Sequence, residues 1–214
     1  MEKTERQKIL SHKLVIPDDF VVIVGCGGSG FNVAILAAMA GCKKFILIDH
    51  DILEEHNRNR LLSKTSDIGR PKVDILAALL KDQDAEEVII YNQQATYQLL
   101  QNINMANSIS AIISCVDRFN AIKMVDNFCK DFNIRMIRAG SDDDNISYGT
   151  DLGCLIDMDG EDGYQIFPNW IGGSMLSATL ATYLLLYPNL NVPITTISVF
   201  SGLLNQGDTN VYTN

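Results

Sequence analysis

A backbone that must run against a phosphate needs glycine where a Cβ would intrude, and this chain reads Gly25-Cys26-Gly27-Gly28-Ser29-Gly30 directly after an apolar run. Gly25, Gly27 and Gly30 have G-x-G-x-x-G spacing: the first allows a tight turn, the second close approach to phosphate, the third close packing of the following helix, whose N-terminus attracts negative charge. Asp49 stands about 20 residues beyond Gly30, at the end of a second apolar run, where a carboxylate accepts from ribose hydroxyls. Together these predict a nucleotide site. The additional Gly28 reads as room for a phosphate chain to lie closer still. The competing reading is a tight strand-to-helix turn with no ligand.

The charges that follow decide which nucleotide. Asp51, then Asn57-Arg58-Asn59-Arg60, Arg70 and Lys72 occupy one polar stretch. Three arginines and a lysine match a triphosphate better than a dinucleotide, because fixed cationic donors stabilise charge that builds on phosphoryl oxygens. A solvated charged loop has the same composition. Asp117 sits where a helix begins, a place that favours an acid through the helix dipole alone. His56 reads as a polar loop residue and Asp142-Asp143-Asp144 as a solvated turn. The five cysteines, Cys26, Cys42, Cys115, Cys129 and Cys154, are mostly in apolar surroundings and form no CxxC pair, which argues against a zinc site made of two such pairs. Cys154 lies beyond the predicted sheet core, but a reactive thiolate needs an electropositive setting. Acids flank it, so it reads as packing.

The elements that must hold these groups alternate. Phe20 to Val24 is a continuous apolar run suited to a central parallel strand, Gly28 to Ala40 a helix with small residues that can pack close, and Phe45 to Ile48 a second strand. After the polar stretch come a helix from Pro71 to Lys81 with proline in its first turn, a strand over Val88 to Tyr91, a helix over Tyr97 to Met105 and a strand over Ser110 to Cys115. A helix from about Arg118 to Phe132 and a strand over Ile134 to Ala139 follow. Beyond Gly140 the spacing predicts an antiparallel strand over Ile146 to Ile156, a long apolar helix from Trp170 to Tyr187 with Trp170 as its core anchor, and a hairpin of Ile194 to Phe200 with Asn210 to Tyr212. The fold class is therefore α/β: a Rossmann-like doubly wound, mainly parallel sheet with a C-terminal antiparallel extension. With 214 residues there is room for one sizeable core. We expect a single domain over 1–214, comprising an N-terminal helix (1–16), a nucleotide-binding core (20–140) and a C-terminal extension (141–214).

The motifs GCGGSG, IDHD, NRNR, DIGRPK and SCVD occur in this order, and the combination resembles the ThiF/MoeB family of ATP-dependent adenylating enzymes, the ubiquitin-activating type included. The family pattern is GxGGxG, DxD, N-x-x-R, G-x-P-K and C-[TV]-D, and the resemblance covers about Val21 to Gly140. It implies that Asp49 binds the ATP ribose, that Asn57, Arg60 and Lys72 contact the phosphates, and that Asp117 helps hold Mg²⁺ near the α-phosphate. It also implies that Arg6, in Arg6-Gln7-Lys8-Ile9-Leu10, reaches a partner subunit's site and makes the active unit a homodimer; an exposed helix charge is the plainer reading of Arg6. The implied reaction joins a carboxylate to ATP as an acyl-adenylate with loss of pyrophosphate, and needs no protein nucleophile. The implied substrate is the C-terminal carboxylate of a small ubiquitin-like or sulfur-carrier protein, or of a peptide. Two departures stand out: Leu61 follows Arg60 where the family usually has glutamine, and Ile122 stands where an arginine is common.

Composition narrows the rest. A net charge of −9 without a basic block disfavours a nonspecific grip on nucleic acid or anionic membrane. No apolar run reaches the roughly 18 residues that span a bilayer, and the polar N-terminus does not read as a signal peptide, so a cytoplasmic protein is expected. Two other functions compete. One is a catalytically weak partner subunit or nucleotide-binding scaffold, motivated by Leu61 and Ile122. The other is an NAD-dependent oxidoreductase, motivated by the glycine loop with Asp49 and opposed by the cationic stretch and by the absence of a convincing catalytic His or Tyr-x-x-x-Lys.

Overall fold

The computed structural model describes residues 3–5, 7, 14–142, 145–151 and 169–198. Among the described residues seven strands form one sheet: β1 (Phe20–Val24), β2 (Lys44–Ile48), β3 (Glu87–Tyr91), β4 (Ile109–Ser114), β5 (Met136–Asp142), β6 (Asn145–Gly149) and β7 (Thr195–Ser198), in the order β3-β2-β1-β4-β5-β6-β7. The first five are parallel, with β1 centred between β2 (Val22 opposite Ile46) and β4 (Val22 opposite Ile112). β6 adds antiparallel to β5 and β7 antiparallel to β6, as expected of the C-terminal extension.

Strand periodicity sorts the core onto two faces. Val21, Ile23, Phe45, Leu47, Ala111 and Ile113 point to one face, against α1 (Gly28–Ala40), α2 (Lys72–Asp82) and α5 (Ile171–Leu186). Val22, Val24, Ile46, Ile48 and Ile112 point to the other, against α3 (Tyr97–Ala106) and α4 (Phe119–Asp131). Runs apolar at every position make sense only for strands covered on both sides. Because the chain moves outward from β1 to β3 and then returns to place β4 on the other side of β1, a crevice opens at the carboxyl ends of β1 and β4. Ligands of open α/β sheets bind in this crevice.

Most predicted boundaries agree within two residues, and α1 agrees at both ends. Four expectations differ from the structure. Pro71 caps α2 from outside rather than occupying its first turn, held in extended backbone by a bridge to Ile52. The N-terminal helix does not reach Ile16: Leu14 to Ile16 is non-helical, Val15 N–H donates to the Leu186 carbonyl at 2.8 Å, and Leu14 and Ile16 pack on the core. Trp170 is 46% exposed rather than a core anchor. The face that α5 turns to α1 is built from Ser174, Ser177, Ala178 and Ala181. Helices that approach on such small residues leave no slot for an indole, and the Trp170 ring lies over Gly172 instead. The strand predicted to run on to Ile156 ends within the described residues at Gly149, followed by an isolated bridge from Asp151 to Pro193; the rest of that prediction and the hairpin partner Asn210 to Tyr212 lie outside them. Among the described residues no helix is long and apolar enough to cross a membrane.

Candidate functional site

The glycine loop leaves β1 in the left-handed region at Gly25 (φ +90°), where a Cβ would come within 2.9 Å of the Cys115 carbonyl. At Gly30 a Cβ would collide with the Gly25 carbonyl, so α1 starts where it does only because that position has no side chain. Gly27 faces open space. It is the place where the backbone can meet a ligand at the N-terminus of α1. Gly28 does something other than expected: a Cβ there would run into the Ser174 hydroxyl and the Arg60 side chain. Its lack of a side chain lets α5 and Arg60 close over the loop.

Asp49 at the end of β2 is buried, with Oδ2 accepting from Cys26 N–H at 2.6 Å and Oδ1 from Asp51 N–H at 2.8 Å. The carboxylate thus ties the second strand to the glycine loop. Asp51 Oδ2 accepts from Lys72 Nζ at 2.8 Å, and Lys72 is itself buried at the start of α2. Desolvation raises the Asp51 pKa, but the hydrogen bond and charge of Lys72 outweigh it and the net shift is downward. Asp49, His50 and Asp51 could together reach one cation. Both Asp49 oxygens serve backbone amides and Asp51 Oδ2 serves Lys72, so the two carboxylates brace the loop.

The cationic stretch separates into two kinds. Arg58 is paired with Glu55 at 2.8 Å and Arg70 with Asp67 at 2.6 Å, both three residues away. Two of the three arginines read as phosphate ligands are therefore tied to their own 3-10 turns, Glu55–Asn59 and Thr65–Asp67. Arg60 instead lies across Gly28, its Nη1 donating to the His56 carbonyl and Asn59 Oδ1, while buried Asn32 of α1 holds the Arg60 carbonyl at 3.1 Å. Asn57 is buried, and its Oδ1 accepts from Glu54 N–H at 3.1 Å. Leu61 is 3% exposed and belongs to the core.

Across the crevice, Asp117 follows β4. Its side chain reaches solvent, yet the surrounding protein desolvates it enough to raise its pKa above the ordinary aspartate value, against the pull of Arg138, Lys72 and Arg60 and with a push from Asp142. Those influences show that Asp117, Arg60 and Lys72, from three separate stretches, share one electrostatic environment. Mg²⁺ commonly takes one or two carboxylates and completes its shell with water and phosphate oxygens; Asp117 fits that role. ATP fits the open face at Gly27 and the cations Arg60 and Lys72. Two residues of the site went unnoticed in the sequence, Asn32 and Arg138. The signal was available: a lone amide in an apolar helix and an arginine in a buried strand must each have partners. Arg6 and Cys154 lie outside the described residues. The other four cysteines are buried free thiols, and burial pushes Cys42, Cys115 and Cys129 up to about 12 and Cys26 well above its ordinary value.

Comparison with known proteins agrees with this geometry. The chain is 28% identical over 153 residues to ubiquitin-like modifier-activating enzyme 5 of Bombyx mori, which covers 67% of this chain and 39% of that protein. It is 29% identical over 154 residues to the Drosophila simulans protein of the same name, covering 67% and 38%. The chain thus spans well under half the length of these curated relatives. Among solved structures, E. coli MccB with succinimide matches with a TM-score of 0.74 at 19% identity, over 92% of this chain and 71% of that one. E. coli MccB with ATP gives 0.71 at 20%, over 86% and 65%. At such identities the structural likeness shows a shared fold. The ThiF family model matches residues 12–143. Because that match takes in the whole parallel part of the sheet, from the start of β1 to the end of β5, the chain belongs to the ThiF family.

Proposed function

We propose that this protein is an ATP- and Mg²⁺-dependent adenylyltransferase that activates the C-terminal carboxylate of a small ubiquitin-like or sulfur-carrier protein, or of a peptide. The observation that carries the reading is the convergence of the open Gly27 backbone, Lys72, Arg60 and Asp117 at the crevice between β1 and β4. The relatives support it by name: one set activates ubiquitin-like modifiers, and MccB has been crystallised with ATP and with the peptide MccA.

In the proposed reaction a carboxylate oxygen attacks the α-phosphorus of ATP, the bond to the bridging oxygen breaks, and pyrophosphate leaves with its electron pair. Attacking carboxylate and leaving group are both anionic, so the protein's task is screening and orientation. Arg60 and Lys72 supply fixed positive charge, the α1 N-terminus supplies backbone dipoles, and Asp49 holds the loop that presents them. Bound at Asp117, Mg²⁺ would add neutralising charge at the phosphates. As parts of the same proposal, Arg6 of a second subunit completes the site in a homodimer, the protein acts in the cytoplasm, and 1–214 forms one adenylation domain.

The test is exchange of radiolabelled pyrophosphate into ATP, in the presence and absence of a candidate carrier protein or peptide. Exchange that requires the free C-terminus supports the proposal. Tight ATP binding without exchange against any carrier points instead to a nucleotide-binding scaffold or a weak partner subunit, the reading that buried Leu61 favours.

A further inference from the structure

Arg138 is the buried arginine among the described residues, 8% exposed in a strand otherwise lined by Met136, Ile137 and Ala139. A guanidinium in such a place costs free energy unless every part of it is used. Its Nη1 donates to the Ser114 carbonyl at 3.0 Å and to the Val116 carbonyl at 2.7 Å, the end of β4 and the loop that carries Asp117. In the β4–β5 ladder Ser114 is its opposite number, so the side chain reaches the loop directly from its own strand. Room for it is made by Gly140, two residues on, where a Cβ would stand 2.5 Å from Nη2 and 2.6 Å from the Ser147 hydroxyl. An apolar residue would fill the strand as well and cost less. What it could not do is hold two consecutive segments of the Asp117 loop from below.

We propose that Arg138 is a positioning residue for adenylation: by fastening the Ser114 and Val116 carbonyls it fixes the Asp117 loop in the geometry that receives the metal. The proposal rests on the adenylyltransferase reading of the site. Arg138 touches neither substrate nor metal. Its effect passes through the loop, as outer-shell partners orient the groups that bind a metal.

The experiment is calorimetric titration of ATP with and without Mg²⁺ into the full chain, with pyrophosphate exchange in parallel. For Arg138→Met the expected result is metal-free ATP binding equal to that of the unaltered protein, with the gain in affinity on adding Mg²⁺ and the exchange kcat each reduced about 10- to 100-fold. Arg138→Lys keeps the charge and loses the fork, and recovers part of both. Gly140→Ala displaces the guanidinium without removing it and acts in the same direction; combined with Arg138→Met it adds little, since the two act through one contact. Should Arg138→Met fail to fold, Arg138→Lys and Gly140→Ala carry the same comparison. Full Mg²⁺ dependence in these variants, or strict additivity of Arg138→Met with Gly140→Ala, overturns the proposal while leaving the function intact. An unaltered protein that does not bind ATP with Mg²⁺ overturns the functional reading itself, and the role of Arg138 with it.

Discussion

After β2 the charged groups are balanced mostly by neighbours in sequence, whereas after β4 they are balanced across the sheet. Arg58 with Glu55 and Arg70 with Asp67 are pairs three residues apart, each with one partner well exposed to water. Asp117 lies past the end of β4 and Arg138 within β5, and desolvation is the largest cause of both shifts: Asp117 upward, Arg138 downward and only partly offset by Cys115, Asp117 and Asp142. A pair that satisfies itself has little left to offer a ligand. Charges held in a crevice under strain of desolvation are the ones that a bound ion or phosphate relieves.

The comparison breaks most visibly at Asp117. Asp117→Asn should lower pyrophosphate exchange by about 100-fold or more, the scale on which removal of a preorganised charge-stabilising group is felt. Its stability should move the other way. A carboxyl whose folded pKa is raised contributes stability below its unfolded pKa and loses that contribution as pH rises through the folded value. At neutral pH the neutral amide therefore removes a penalty, and Tm should match or exceed that of the unaltered protein. A lower Tm with activity retained would make Asp117 a structural acid.

Lys72 joins the two sides, and its loss ranks next. Lys72→Met removes a cation from the crevice and leaves Asp51 without its partner. A charge-assisted hydrogen bond to phosphate is worth about 1.5–3 kcal/mol, so ATP affinity measured by titration should fall about 10- to 100-fold. An unchanged affinity would assign the lysine to Asp51 alone.

Acidification should separate the sides further. With Asp117 raised, Mg²⁺-dependent ATP binding should begin to weaken at a pH above the ordinary aspartate range, and Asp117→Asn should flatten that profile. Asp51 is depressed, so its contribution to stability is present above the unfolded aspartate value and disappears only as pH falls through its lower folded value. Asp51→Asn should therefore be less stable than the parent at neutral pH in denaturation curves, with the difference closing as pH falls through that lower window. The smallest effects belong to the self-paired arginines. Arg58→Ala and Arg70→Ala should each cost at most about 1 kcal/mol in chemical denaturation and leave ATP affinity unchanged; a large loss of affinity in either would restore the three-arginine phosphate cluster.

Much of this site was legible in order along the chain. The loop Gly25 to Gly30, Asp49 and Lys72 were recognisable because their constraints are local: glycine is required wherever a Cβ meets backbone, and a strand end followed by an acid is a short-range pattern. Arg138 and Asn32 escape local patterns because they hold Val116 and Arg60, 22 and 28 residues away. Trp170 was misplaced because hydrophobicity says that a ring prefers burial, but not whether the facing helix leaves room for it.

By itself the sequence determined the alternation of strands and helices, the doubly wound class, the glycine cradle and the cations beside it, all consequences of periodicity and of backbone sterics within a few residues. Only the tertiary structure decided which cations face the crevice, that Gly28 makes room for α5 and Arg60, and that a buried arginine underlies Asp117. Those outcomes depend on pairings across the sheet, where burial sets the cost of a charge and the partner that compensates it can come from any part of the chain.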